Sequence, residues 1–213
     1  VVYADHQSRG EANGDLVISD GENAYRATEH LLKNGHERIC LVYHAQEGVR
    51  GHSVLDGYKQ ALANGGVPFD QELVIDASLQ LDYSELGGVF LSDKERPTAA
   101  IIASDRATME LVKFLRSHNL ECPDDVSLIS LQESTFHDMM HPSITTFAHD
   151  PEAIGAAAMG KLLEKISAPG QERENIVVSG RLIVRDSTQC IGRGPFGEKA
   201  ESPEVLNLTK SEM

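Results

Sequence analysis

The chain has 213 residues, 40% of them hydrophobic and 24% charged, a composition that suits one large globular domain or two small ones. A net charge of −14 with no local Lys/Arg cluster argues against a surface built to wrap a polyanion, since nucleic-acid binding is driven by cations on phosphates. No apolar run has the length of a membrane span, and with no Trp and 5% aromatics a base-stacking platform is not expected.

The sequence opens without Met on "VVYAD" (1–5), an apolar run that reads as a strand belonging to a chain that extends upstream. "SDGENAYRATEHLLKNG" reads as a helix, with Ser19 or Asp20 as its cap, Ala24, Ala27, Leu31 and Leu32 on one face, and Asn34-Gly35 as its stop. The runs "ICLVY" (39–43), "LVIDA" (73–77), "AAIIAS" (99–104) and "VSLISL" (126–131) read as strands. They lie about 20–30 residues apart with helical segments between them, which is βαβ spacing and implies a parallel sheet.

Asp82 with Glu85 resembles a capping box, and Ser104 and Asp105 mark the turn from a strand into the helix "RATMELVKFLRSHN". Asp150 caps a further helix with Pro151 at its first position, where the missing N–H costs nothing. "ENIVVSGRLIVRDS" gives two β-rich runs parted by Ser179-Gly180. Residues 191–213 lack a sustained apolar period and are expected to be a disordered tail. Cys40, Cys122 and Cys190 form neither a C-x-x-C pair nor a disulfide framework, which suits a reducing, cytoplasmic compartment.

The blocks "GENAYRATEHLLKNGHERICLV", "DGYKQAL", "RPTAAIIASD", "CPDDVSLIS", "HPSITTF" and "GRLIVRDST" occur in an order that resembles the effector-binding part of LacI/GalR-type bacterial transcriptional regulators. "PDDVSLIS" and "LIVRDST" are the most distinctive, and the resemblance covers roughly residues 1–188. It implies an α/β, parallel-sheet, periplasmic-binding-protein-like type I fold with flavodoxin-like lobes, here one complete lobe plus part of the other. Residues 1–20 and 142–168 are then expected in the first lobe, and 21–141 and 174–190 in the second. The resemblance further implies a homodimer, a small polar effector such as a sugar, no cofactor, and operator DNA bound only through a helix-turn-helix that this sequence does not contain.

Ligand positions carry over residue by residue. Asp5, with His6 next to it, matches a strand-end aspartate of the first lobe. Val54 stands three residues before the Gly of "DGYKQAL", where the family usually has a ligand-clamping arginine; Arg50 and His52 lie close by. An aliphatic side chain cannot make the forked, charge-assisted bonds of a guanidinium. Leu79 replaces a stacking aromatic.

"SLISLQES" ends in Ser130, Leu131, Gln132 and Glu133 where relatives have Gly, an aromatic and two acidic or amide residues. Gln132 therefore offers an amide in place of a ligand-binding carboxylate. Ser104 and Asp105 keep a polar strand end at a helix start, although a plain cap explains Asp105 equally well. Either the effector is less polar than usual or the site no longer binds one.

His137 and His141 share i,i+4 spacing, but "HPS" argues against a helix there and no third ligand is near, so no metal is expected and the histidines are read as mostly surface or turn residues. Met139, Met140 and His141 fall in a segment that in relatives lies near the subunit contact. No nucleophile elbow, P-loop or dinucleotide fingerprint is present, and an enzyme is not expected. A solute-binding protein of a transport system is the alternative with the same fold.

Overall fold

The computed structural model describes residues 2–4, 15–18, 20–47, 49–78, 81–92, 96–168 and 175–192. Two sheets organise it. The larger has the order β4-β3-β5-β6-β7-β9 and the smaller the order β1-β2-β8. Strands β1 (Val2–Ala4), β2 (Asp15–Ile18) and β8 (Asn175–Val177) form the small parallel sheet. Strands β3 (Ile39–Tyr43), β4 (Val74–Asp76), β5 (Ala99–Ile102), β6 (Ser127–Ser130) and β7 (Thr145–Ala148) run parallel in the large one, and β9 (Arg181–Ile183) closes its edge antiparallel to β7.

The pleat divides each apolar run between two helical layers. Ile39 and Leu41 face helices α1 (Asp20–Lys33) and α2 (Val49–Asn64), joining Leu31, Tyr58 and Phe147. Cys40 and Val42 face the opposite layer, where Phe90 of α3 (Tyr83–Phe90) and Leu111 and Phe114 of α4 (Asp105–Ser117) pack. This is why β3, β5 and β6 read as unbroken apolar or small-residue runs: all their side chains but Tyr43 are buried.

Local chemistry sets the helix ends. Gly35, at φ +92°, stops α1 with paired bonds, Gly35 N–H to Leu32 O and His36 N–H to Leu31 O, both 3.0 Å. Asp82, Ser104 and Asp150 cap α3, α4 and α6 (Pro151–Ser167) with their side chains. The cap of α4 is thus Ser104, and Asp105 is its first helical residue. Gly57 has a different task, because a Cβ there would stand 2.0 Å from the Gly21 carbonyl oxygen. The backbones of α1 and α2 touch at that point.

The expected assignment of segments to lobes needs two corrections. Thr145–Ala148, expected with the first lobe, pairs with β6 and β9 in the large sheet, and its residues Thr145, Thr146 and Phe147 are fully buried there. Asn175–Val177, expected with the second lobe, pairs with β2 in the small sheet. The chain therefore changes sheets between Ala148 and Pro151 and again between Val177 and Arg181, as it does between Ile18 and Asp20. Helix α6 packs on β1 and β2, burying Ile154 and the Lys161 stem, while Met159, Leu163 and Ile166 stay exposed.

A five-residue helix, α5 (Thr135–Met139), also forms where none was expected, ending two residues before His141. Nor do the histidines keep to the surface. His36 and His137 are fully buried. Of the expected tail, residues 193–213 lie outside the described residues.

Candidate functional site

In the large sheet the chain enters at β3, places β4 on one side of it, and then returns to place β5 on the other. The crevice beyond the carboxyl ends of β3 and β5 is therefore the topological switch point, where open parallel sheets bind ligands. Two side chains meet there. His44, the first residue after β3, has its Nε2 2.8 Å from the Ser104 hydroxyl at the end of β5. Both line a cavity of about 80 Å³ with Ser78, Leu81, Arg106 and Glu110. Larger cavities lie elsewhere, one of about 350 Å³ beside Arg116 and His141 and one of about 420 Å³ beside His149 and Gly180. The first of these is at the amino ends of β6 and β7. The second follows the carboxyl end of β7, next to the edge strand β9 and away from the switch point. Position at the switch point, rather than volume, singles out the small one.

The rim is preorganised by its own hydrogen bonds. The Asp76 carboxylate accepts from the Ala45 N–H (3.1 Å), the Ser78 N–H (3.0 Å) and the Ser78 hydroxyl. Burial would raise its pKa, but these bonds and the nearby His44 prevail and hold the carboxyl below its ordinary range. Ser104 accepts the Ala107 N–H at 3.3 Å as the helix cap. The Thr108 hydroxyl donates to the Ser104 carbonyl, and the Ser130 hydroxyl accepts the Gln132 N–H. Gln132 is half-buried, and its amide group makes no hydrogen bond among the described residues.

Ser104, Asp105 and Gln132 thus share one edge of the sheet with His44. Val54 is elsewhere in character: it is 3% exposed and packs in the core beneath α2 with Leu41 and Tyr58. His52 is exposed on α2, and Arg50 lies on the same helix. Asp5, His6 and Leu79 lie outside the described residues.

Glu133, next to Gln132, is occupied by the fold. Arg185 grips it with two bonds, Nη2 to Oε1 at 2.7 Å and Nη1 to Oε2 at 3.2 Å, and also donates to Thr146 and the Ile144 carbonyl. Burial raises the Glu133 carboxyl, but the bonds from Arg185 and Thr146 outweigh it and leave the group below its usual range. This accounts for Arg185 in "LIVRDST": it ties β7 and the end of β9 to the strand-end loop.

Sequence reasoning missed His44 and placed His137 among surface or turn residues, whereas it is fully buried. His44 follows "ICLVY" directly, but its place at the switch point depends on the strand order. Nothing local in the sequence shows that His137 points inward. His137 and His141 do not converge, one being buried and the other exposed, and no group of three metal-ligating side chains occurs among the described residues. Near the segment expected at a subunit contact, Met139 is 77% exposed and Phe136 60%. Met140 is half-buried against the core, and Arg116 donates to the His141 carbonyl. No helix among the described residues is long and apolar enough to cross a membrane.

Residues 28–188 match the model of the periplasmic binding protein-like domain. The chain is 26% identical over 170 residues to the HTH-type transcriptional repressor PurR of Photobacterium profundum, covering 79% of this chain and 51% of that protein. It is 27% identical over 173 residues to the HTH-type transcriptional regulator DegA of Bacillus subtilis, covering 81% and 51%. The chain spans about half the length of these curated relatives. Among solved structures, a complex of the transcriptional regulator CelR with cellobiose superposes with a TM-score of 0.70 at 26% identity, covering 87% of this chain and 58% of that one. A LacI family regulator of Enterococcus faecium with bound ribose gives a TM-score of 0.67 at 25% identity, covering 87% and 69%. The parallel sheet, its switch-point crevice and these relatives agree: the chain belongs to the periplasmic binding protein-like domain family, in the company of LacI-type transcriptional regulators.

Proposed function

We propose that this chain is the effector-binding and dimerisation portion of a cytoplasmic LacI-type repressor, which converts binding of a small polar molecule into a change in operator affinity. The observation that carries the reading is the hydrogen-bonded His44–Ser104 pair at the switch point, flanked by Asp105 and Gln132. The rim offers hydroxyl, imidazole, amide and carboxylate groups, which suit the neighbouring hydroxyls of a neutral sugar. Relatives seen with ribose and cellobiose support that ligand class. Among the described residues Arg106 and Arg185 are each paired with a carboxylate, to Glu110 and Glu133, so neither is free to clamp an anion.

In this mechanism the effector binds one relative orientation of the two lobes more tightly than the other, and only that difference in affinity can shift the equilibrium. Operator contacts belong to the part of the regulators that lies outside the aligned half. The surface around Met139, Met140 and His141 is the contact with a second copy, in the isologous arrangement commonest for soluble oligomers. Regulator relatives favour this reading over both an enzyme and a solute-binding protein of a transporter.

Titration calorimetry with ribose and cellobiose tests it. Saturable binding of at least one is expected, weakened roughly tenfold, about 1.4 kcal/mol, in the Ser104→Ala, Gln132→Ala double variant. Chemical turnover of a sugar, or binding indifferent to both substitutions, would overturn the assignment.

A further inference from the structure

Beneath the rim, His137 of α5 is fully buried, and neither ring nitrogen has a hydrogen-bond partner. Its Nε2 stands 3.7 Å from Oδ1 of Asp105, and that oxygen is also buried without a partner, while the Asp105 side chain as a whole is 39% exposed. One face of the carboxylate thus looks inward at the imidazole and the rest reaches the crevice. The carbonyl of Gln132 also faces the ring.

Two acceptors therefore address one imidazole. A neutral ring carries a single N–H and can serve only one of them, whereas a protonated ring carries two and can serve both. We propose that His137 is the positioning residue for Asp105, and that its protonation draws the carboxylate inward and makes the strand-end site respond to pH. The inference rests on the reading of Asp105 as a residue that meets the effector.

The charges around the ring set where this happens. Burial disfavours the imidazolium and dominates, and Arg185 adds to it; Asp105 from α4, Glu133 from the loop after β6 and the Gln132 carbonyl oppose it. The balance holds the imidazole below the ordinary histidine range, so protonation comes on acidification. Glu133 and Asp138 are themselves engaged by Arg185, at 2.7 and 3.5 Å. That leaves Asp105 as the carboxylate whose geometry can change.

The test is an NMR titration of the whole chain without ligand, following the His137 ring nitrogens and the main-chain amides of 104–107. Those amides are expected to shift with the midpoint of His137. Asp105→Asn should lower that midpoint measurably, because it removes a stabilising charge from the imidazolium. His137→Phe should abolish the amide shifts in the same pH range; if that variant fails to fold, the Asp105→Asn arm decides alone. A ring that stays neutral until acid unfolding, amides that ignore it, or a midpoint unmoved by Asp105→Asn would each refute the proposal. Because no effector is present, failure here is distinct from failure of the sugar titration, which tests the site itself.

Discussion

Ser187→Ala is the sharpest test of how the large sheet is closed. The Ser187 hydroxyl is fully buried, donates to the Leu128 carbonyl at 2.6 Å and accepts the Thr145 N–H at 2.8 Å. The Ser187 carbonyl accepts the Leu128 N–H at 2.7 Å, so the residue extends the ladder past the amino ends of β6 and β7. Removing the hydroxyl deletes two bonds worth about 1 kcal/mol each, and stranding a buried donor and acceptor brings the expected loss to about 2–4 kcal/mol. For a chain of this size that lowers Tm by about 5–15 °C. Urea unfolding followed by circular dichroism measures the loss, with Ser143→Ala as control, because its bond to Asp186 is exposed. A loss below about 1 kcal/mol for Ser187→Ala, or one equal to the control's, refutes the reasoning.

Acid should destabilise the fold through His30, whose pKa is lowered from 6.5 to about 4 by burial first and then by His36 and Lys33. The unfolded chain binds that proton below pH 6.5 and the folded chain only near 4, so stability falls as pH drops through that window, by at most about 1.4 kcal/mol per unit. His30→Gln should flatten the slope measured in urea melts across pH 4–6.5. Gly57→Ala should cost about 2–3 kcal/mol in the same assay, since its Cβ meets the Gly21 carbonyl oxygen at 2.0 Å and forces α1 from α2. Met139→Asp should weaken self-association at least tenfold in sedimentation equilibrium, through loss of an exposed apolar contact, and leave the unfolding midpoint of the monomer unchanged.

The strands of the large sheet were legible because both of their faces are buried, which writes them into the sequence as continuous runs such as "AAII" and "ICLV". Helix punctuation was legible too, since Asp150-Pro151 and Asn34-Gly35 act through neighbouring backbone. Sheet membership was not. "SITTF" and "NIV" are short β-rich pieces whose partners are fixed by contacts far along the chain, so nothing within them shows which sheet they join. The strand-end rule found Ser104, Asp105 and Gln132 but passed over His44, because only the strand order reveals that β3 and β5 flank the switch point. Val54 shows the opposite limit. Its alignment with a ligand-clamping arginine was legible, while its place in the core became visible only through its neighbours on β3 and α2.

Three stretches of backbone pass between the two sheets, near residues 18–20, 148–151 and 177–181. The third is bound to α1, where the Gly180 N–H donates to Asn23 at 2.9 Å and Arg26 donates to the Gly180 carbonyl at 2.8 Å. Mechanically these are tethers in parallel. A pull that separates the sheets loads all three at once, whereas a rotation about a line through them asks for torsion at only a few bonds. A protease that cuts at His149 would therefore leave the halves joined through the other two passages, and the molecule would keep its shape with a nick in it.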